Sequence, residues 1–128
     1  MAITKYDKIY TVTSVGHLIL IKLDLAKLNY SHWSKLFTTH CAGFDVLPFI
    51  QGSSTSEERA TEEWTKADSV VLSWIFLTIS EPLLERLLNS QPKTSHEARL
   101  FLEKVFLDNK RAKTVELIAE LKALDIGT

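Results

Sequence analysis

The clearest order in the chain is an apolar repeat. Ala98, Phe101, Leu102, Val105 and Phe106 recur at i, i+3, i+4, i+7 and i+8, the period of one helix face. Thr94 and Glu97, just upstream, have capping-box spacing. The same period predicts a helix from about Ser31 to Phe44. Trp33, Phe37, His40, Cys41 and Phe44 fall on one face of it, with Leu36 at the border. Asn29 or Ser31 is suited to accept the orphan N–H groups at its start. A very short apolar element, Val46 to Ile50, stops at Gly52. The run from Gly52 to Ser56 reads as a loop.

Ser54 with Glu57, or Thr55 with Glu58, opens another helix near Ser56. Glu57, Glu58, Glu62 and Glu63 then lie near the positive end of its dipole. Trp64, Ala67, Val71, Trp74, Ile75 and Thr78 continue one face towards Ser80, and Val70 and Leu77 add apolar character elsewhere. This predicts the central helix, with a bend or break near Lys66 to Asp68 left open. Pro82 suits the first turn of a further helix, buried through Leu83, Leu84, Leu87 and Leu88. Asn89 to Pro92 is a turn. Asp108 or Asn109 is expected to end the Thr94 helix and cap a last one. Ala112, Val115, Ile118, Ala119 and Lys122 mark one side of that last helix, and Leu117, Leu121 and Leu124 widen it. Gly127 is its stop.

At the N-terminus no helical period appears. Residues 1–17 read as a loose arm, and 18–128 as one helical domain. Leu18 to Leu23 is a short β-type run. A lone strand needs a partner, so this run must pack on the helices or pair with another segment. The expected fold is all-α, a compact bundle of five or six helices with this one short strand-like segment. Truncating Trp74 or Phe101 to Ala as core residues should cost about 3–5 kcal/mol.

Composition narrows the class. A chain of 128 residues suits one domain with a real core. It is 45% hydrophobic and 24% charged, ordinary for a folded protein. The net charge of −1 argues against a domain whose main task is holding nucleic acid, which needs excess Lys and Arg. A single cysteine, Cys41, points to no disulfide framework. The apolar stretch from Val15 to Leu25 is interrupted and too short to span a bilayer. It has no signal-peptide pattern either, so the default location is cytoplasmic.

Candidate chemistry is sparse. His40 and Cys41 are neighbours and point different ways on a helix, and no second cysteine exists for a zinc site. Core packing is the favoured reading of both. There is no Gly-x-Ser-x-Gly elbow and no phosphate loop. The glutamates after Ser56 suit a solvated first turn better than paired catalytic acids. The expectation is no enzyme, no cofactor, no metal and no small-molecule substrate. Lys110, Arg111 and Lys113 form one basic cluster. A solvated helix face is the favoured reading, and a weak, salt-sensitive RNA or partner contact is the alternative. Trp33, Trp64 and Trp74 are expected in the core, with one of them exposed for subunit contact as the alternative.

Several phrases in fixed order carry a resemblance. Leu25, Asn29, Tyr30 and Trp33 come first, then Phe49, Ile50 and Gly52. Trp64, Asp68, Leu72, Ser73, Trp74 and Ile75 follow, then Leu102 to Phe106 and Lys110 to Lys113. Together, from about Leu23 to Gly127, they resemble the N-terminal Gag region of plant copia-type LTR retrotransposons. One departure is Leu100, where the family often carries Trp. The resemblance implies a fold similar to a retroviral capsid N-terminal domain. It also implies self-association into particles around element RNA, with RNA held by regions absent from this chain. The zinc knuckle and the enzymes of a full element would be missing too. The chain is then expected to be either part of a longer Gag or a short host gene descended from one. In the second case it would be an interaction module that binds a host protein or interferes with intact Gag.

Overall fold

Helix α1, Tyr30–Gly43, begins where the Asn29 side chain braces the chain that precedes it. The Asn29 carbonyl oxygen accepts from the Asp24 amide at 2.9 Å, and its amide donates to the Lys22 carbonyl at 3.0 Å. The computed structural model describes residues 6–12, 15 and 19–126. In that span the chain continues through α2 (Leu47–Gln51), α3 (Ser56–Arg59), α4 (Glu62–Leu77), α5 (Glu81–Asn89) and α6 (Ser95–Ile126). Short 3-10 turns at Asp7–Thr11 and Leu25–Lys27 precede α1. The architecture is all-α, as the periodicity predicts.

The core gathers one stripe from each main helix. Trp33, Phe37 and Cys41 come from α1, Phe49 and Ile50 from α2, and Trp64, Ala67, Val71, Trp74 and Ile75 from α4. Leu83 and Leu87 come from α5, and Ala98, Leu102, Val105 and Phe106 from α6. Helix α6 packs against α4, α2 and α5. Its heptad-like face is what closes the bundle. Leu88 is half exposed and Phe101 only partly buried, so the truncation cost expected for a core Phe101 is too high.

Local chemistry sets the helix ends. Of the two candidate capping boxes, Thr55 with Glu58 forms. The Thr55 hydroxyl accepts from the Glu58 amide at 3.1 Å, and the Glu58 carboxylate accepts from the Thr55 amide at 3.0 Å. The bend or break left open near Lys66 to Asp68 does not occur; α4 is continuous there, and the interruption comes earlier, at Ala60–Thr61. There the Thr61 hydroxyl accepts from the Trp64 amide at 3.1 Å and starts α4 afresh. Pro82 sits in the first turn of α5 behind Ser80. At the start of α6, the Thr94 hydroxyl accepts from the Glu97 amide at 3.2 Å. The Glu97 carboxylate takes the Lys93 amide at 2.7 Å, one residue before the position a capping box would use.

Two expectations about the ends of the chain are corrected. Over Tyr6–Val12 the expected loose arm is a turn packed on the bundle. Ile9 is 1% exposed, and the Tyr6 ring meets Phe49 edge-on at 5.1 Å. Val15 and Ile19 are buried too. The strand-like segment reduces to one parallel bridge, Leu23 with Ile79. The Leu23 amide donates to the Thr78 carbonyl, and the Ser80 amide donates to Leu23, both at 2.8 Å. Leu18 lies outside the described residues, as does Gly127. At the other end, α6 does not stop at Asp108 or Asn109. No Gly or Pro interrupts it, and Lys104 reaches Asp108 one turn on at 3.9 Å. One helix of 32 residues, about 48 Å long, replaces the two expected.

Candidate interaction surface

The tryptophans and the α2 residues that carry the resemblance are placed where they build the scaffold. Trp33 is buried, and its indole donates to the Thr78 hydroxyl at 3.1 Å. That hydroxyl in turn donates to the Trp74 carbonyl at 2.8 Å. Trp33 stacks on Phe37 at 4.9 Å and Phe49 on Trp64 at 5.0 Å. All three tryptophans lie in the core at 6% exposure or less. Ile50 is fully buried. Gly52 ends α2 in the left-handed region at φ 73°. A Cβ there would stand 2.6 Å from the ring of His96, which itself holds the Ile50 carbonyl at 2.9 Å through Nδ1. The glycine is needed both for the turn and for the space.

Asp68 has a purpose that local sequence did not reveal. It is 4% exposed on α4 and lies at the first residue of α6. Its carboxylate accepts from the Ser95 amide at 3.2 Å and from the Ser95 hydroxyl at 2.5 Å. A negative charge at a helix N-terminus is favourable. Even so, burial pushes the Asp68 carboxyl above its usual range, and the Ser95 hydrogen bonds pull it back only in part. The pair fixes where α6 leaves the bundle.

Cys41 belongs to the core as well, and the partly buried His40 packs beside it. His40 lies edge-on to Trp74 at 4.6 Å, and burial lowers its pKa. Burial pushes the Cys41 thiol up to about 12. Among the described residues, no cluster of His, Cys, Asp and Glu is arranged to hold a metal. Among the described residues, no helix is long and apolar enough to cross a membrane.

What stands out instead is an open apolar surface. Tyr30 and Phe106, with rings 5.5 Å apart, floor a groove of about 510 Å³. Leu28, Ser31, Glu103, Leu107 and Lys110 complete its lining. Burial raises the Tyr30 phenol's pKa, against the pull of Arg99. Leu28 holds a left-handed backbone at φ 50°, a conformation that costs a non-glycine residue on the order of 1 kcal/mol. The residue is 45% exposed.

The groove runs onto the free half of α6. Phe106 is the last buried residue of the helix among those described, and from Leu107 to Leu124 only Asn109 is even partly covered. Leu107, Val115, Leu117, Ile118, Leu121 and Leu124 are 44–67% exposed. Their spacing puts them on one side of the helix. The apolar side of the last helix was thus visible in sequence, but it is uncovered rather than core. Lys110, Arg111 and Lys113 lie on this same projection, all exposed. The fold brings them together with the apolar stripe and away from the scaffold residues Asn29, Phe49, Gly52 and Asp68.

No family model, curated protein or solved structure matches the chain.

Proposed function

We propose that this chain is a non-enzymatic structural domain that self-associates, as a Gag-derived unit of a particle that encloses element RNA. The observation that carries the reading is the free half of α6. A helix without tertiary contacts is marginal in water at this length. Six large apolar side chains on it make the kind of contiguous patch that marks an interaction site. In a shell, weak contacts of this sort are multiplied by symmetry. The motif residues fit the same reading: Asn29, Gly52 and Asp68 serve as brace, turn and helix anchor. RNA would be held by regions outside this chain, with Lys110, Arg111 and Lys113 adding at most a few phosphate contacts.

A second reading has its own support. The groove between Tyr30 and Phe106, with a strained and exposed Leu28 on its rim, suits a short apolar segment of another protein. On that reading the chain is a Gag-derived interaction module for a host protein. Light scattering after size exclusion across a range of concentration, with electron microscopy of the largest fraction, separates the two. Discrete dimers or larger symmetric assemblies support the structural reading. A strict monomer at high concentration contradicts it.

A further inference from the structure

We infer that the free halves of α6 from two copies pair antiparallel about a two-fold axis near Val115 and Glu116. This rests on the self-associating reading above and specifies its contact. The apolar side chains leave room for several occupants; the charge along the helix selects among them. Lys110, Arg111 and Lys113 outweigh Asp108 and leave the first part of the free segment net positive, while Glu116 and Glu120 outweigh Lys122 and leave the second net negative. Laid parallel, two copies would set lysine against lysine and glutamate against glutamate. Laid antiparallel, each basic stretch meets the other copy's acidic stretch, and the helix dipoles also oppose favourably. The net charges of the two parts therefore favour the antiparallel orientation.

The spacing agrees. Leu107, Thr114 and Leu121 are seven residues apart, as are Leu117 and Leu124, which is the seam of a coiled coil. In antiparallel register Leu107 faces the partner's Leu124, and Thr114 faces the partner's Leu117. Lys113 then flanks the partner's Glu120, twice by symmetry. Lys110, on the seam beside Leu107, disfavours a longer or shifted register, as a single polar seam residue does. Two such faces together bury on the order of 1,000 Å² in total, at the lower end for a specific interface. The contact should therefore be reversible and concentration-dependent. The same pairing covers the helix that otherwise stands without support.

Cysteine cross-linking of the full chain tests the orientation, with Cys41 silent because it is fully buried. The variants are Leu107→Cys, Thr114→Cys and Leu124→Cys, treated with a short bis-maleimide. Light scattering on each untreated sample reports the oligomer. Paired helix axes lie about 8–10 Å apart, so Thr114→Cys should link to itself near the axis. In an antiparallel pair the two Leu124 positions are roughly 25 Å apart, so Leu124→Cys alone should give no link. Mixed Leu107→Cys and Leu124→Cys should give a heterologous one. Glu116→Lys with Glu120→Lys should abolish the dimer. Mixing that variant with Lys110→Glu, Arg111→Glu and Lys113→Glu should restore it. Self-linking of Leu124→Cys would overturn the antiparallel arrangement. Dimers with no link at any α6 position would overturn this contact and leave self-association standing. A monomer at every concentration would overturn both.

Discussion

Removing the Asp68 carboxylate is the sharpest test of how the fold aims α6. Asp68→Ala leaves the Ser95 amide without an acceptor in a fully buried place. It also takes the main acceptor of the Ser95 hydroxyl, whose fallback is the Phe49 carbonyl at 3.5 Å. Hydrogen bonds to a charged group contribute about 1.5–3 kcal/mol each, and a stranded buried donor costs about 1–3 kcal/mol. Against this, the fold already holds the ionised carboxylate at a cost, since burial outweighs the hydrogen bonds in setting its pKa. The net loss for Asp68→Ala should be about 2–3 kcal/mol. Asp68→Asn keeps an acceptor and removes the charge, so it should lose less, about 1 kcal/mol. A cycle with Ser95→Ala should return a coupling of about 1–2 kcal/mol.

The pH dependence carries an independent sign. The folded pKa of Asp68 lies above its unfolded value of 3.8. Its contribution to stability is therefore fullest below that value and is lost as pH rises through the folded pKa. Asp68→Asn lacks this term, so the gap between wild type and Asp68→Asn should narrow as pH rises through that window. Urea unfolding followed by tryptophan fluorescence, at several pH values, measures both effects. An Asp68→Ala protein within about 0.5 kcal/mol of wild type would refute the anchoring role. Equal damage from Asn and Ala would show that the charge itself, rather than the hydrogen bonds, holds the helix.

Other predictions follow from single contacts. Gly52→Ala should lose about 1–2 kcal/mol from left-handed backbone alone and more from the His96 ring; thermal melts should show partial rescue by His96→Ala. His40 titrates below 6.5 in the fold, so its contribution is full above pH 6.5 and is lost as pH falls towards the folded pKa. His40→Phe should flatten the stability curve in that range. Cys41, fully buried with its thiol raised to about 12, should resist a thiol reagent in the native protein and react at once in urea. Arrested native labelling with unchanged circular dichroism is the expected result; fast labelling would place Cys41 at the surface.

Much of the bundle was legible from local pattern. The α1 stripe, Pro82 at the head of α5 and the Thr55–Glu58 cap each depend on neighbours within one or two turns. What stayed hidden depends on distance or on competition. The break before α4 arises because the Thr61 hydroxyl competes with a continuing helix, and either outcome suits the sequence. Asp108 and Asn109 have middling helix propensity and give way when nothing else breaks the helix. The reach from Asp68 to Ser95 spans 27 residues and leaves no local trace. Tyr6 and Ile9 sit in a short turn with no period to betray their burial. For the candidate surface, the sequence located an apolar side over residues 112–124 but not Leu107, and not that this side stands exposed. Periodicity reports a face, and only packing decides whether that face meets core or solvent.

The most direct test of the central reading is sedimentation velocity over a wide concentration range, comparing wild type with Leu117→Gln/Leu121→Gln. Both leucines are exposed and outside the bundle, and glutamine keeps helix propensity, so the scaffold should stay intact by near-ultraviolet circular dichroism. Wild type should pass from monomer to dimer or larger species as concentration rises, while the variant stays monomeric. Equal association of the two proteins, or a monomer throughout for both, would contradict self-association through the free half of α6.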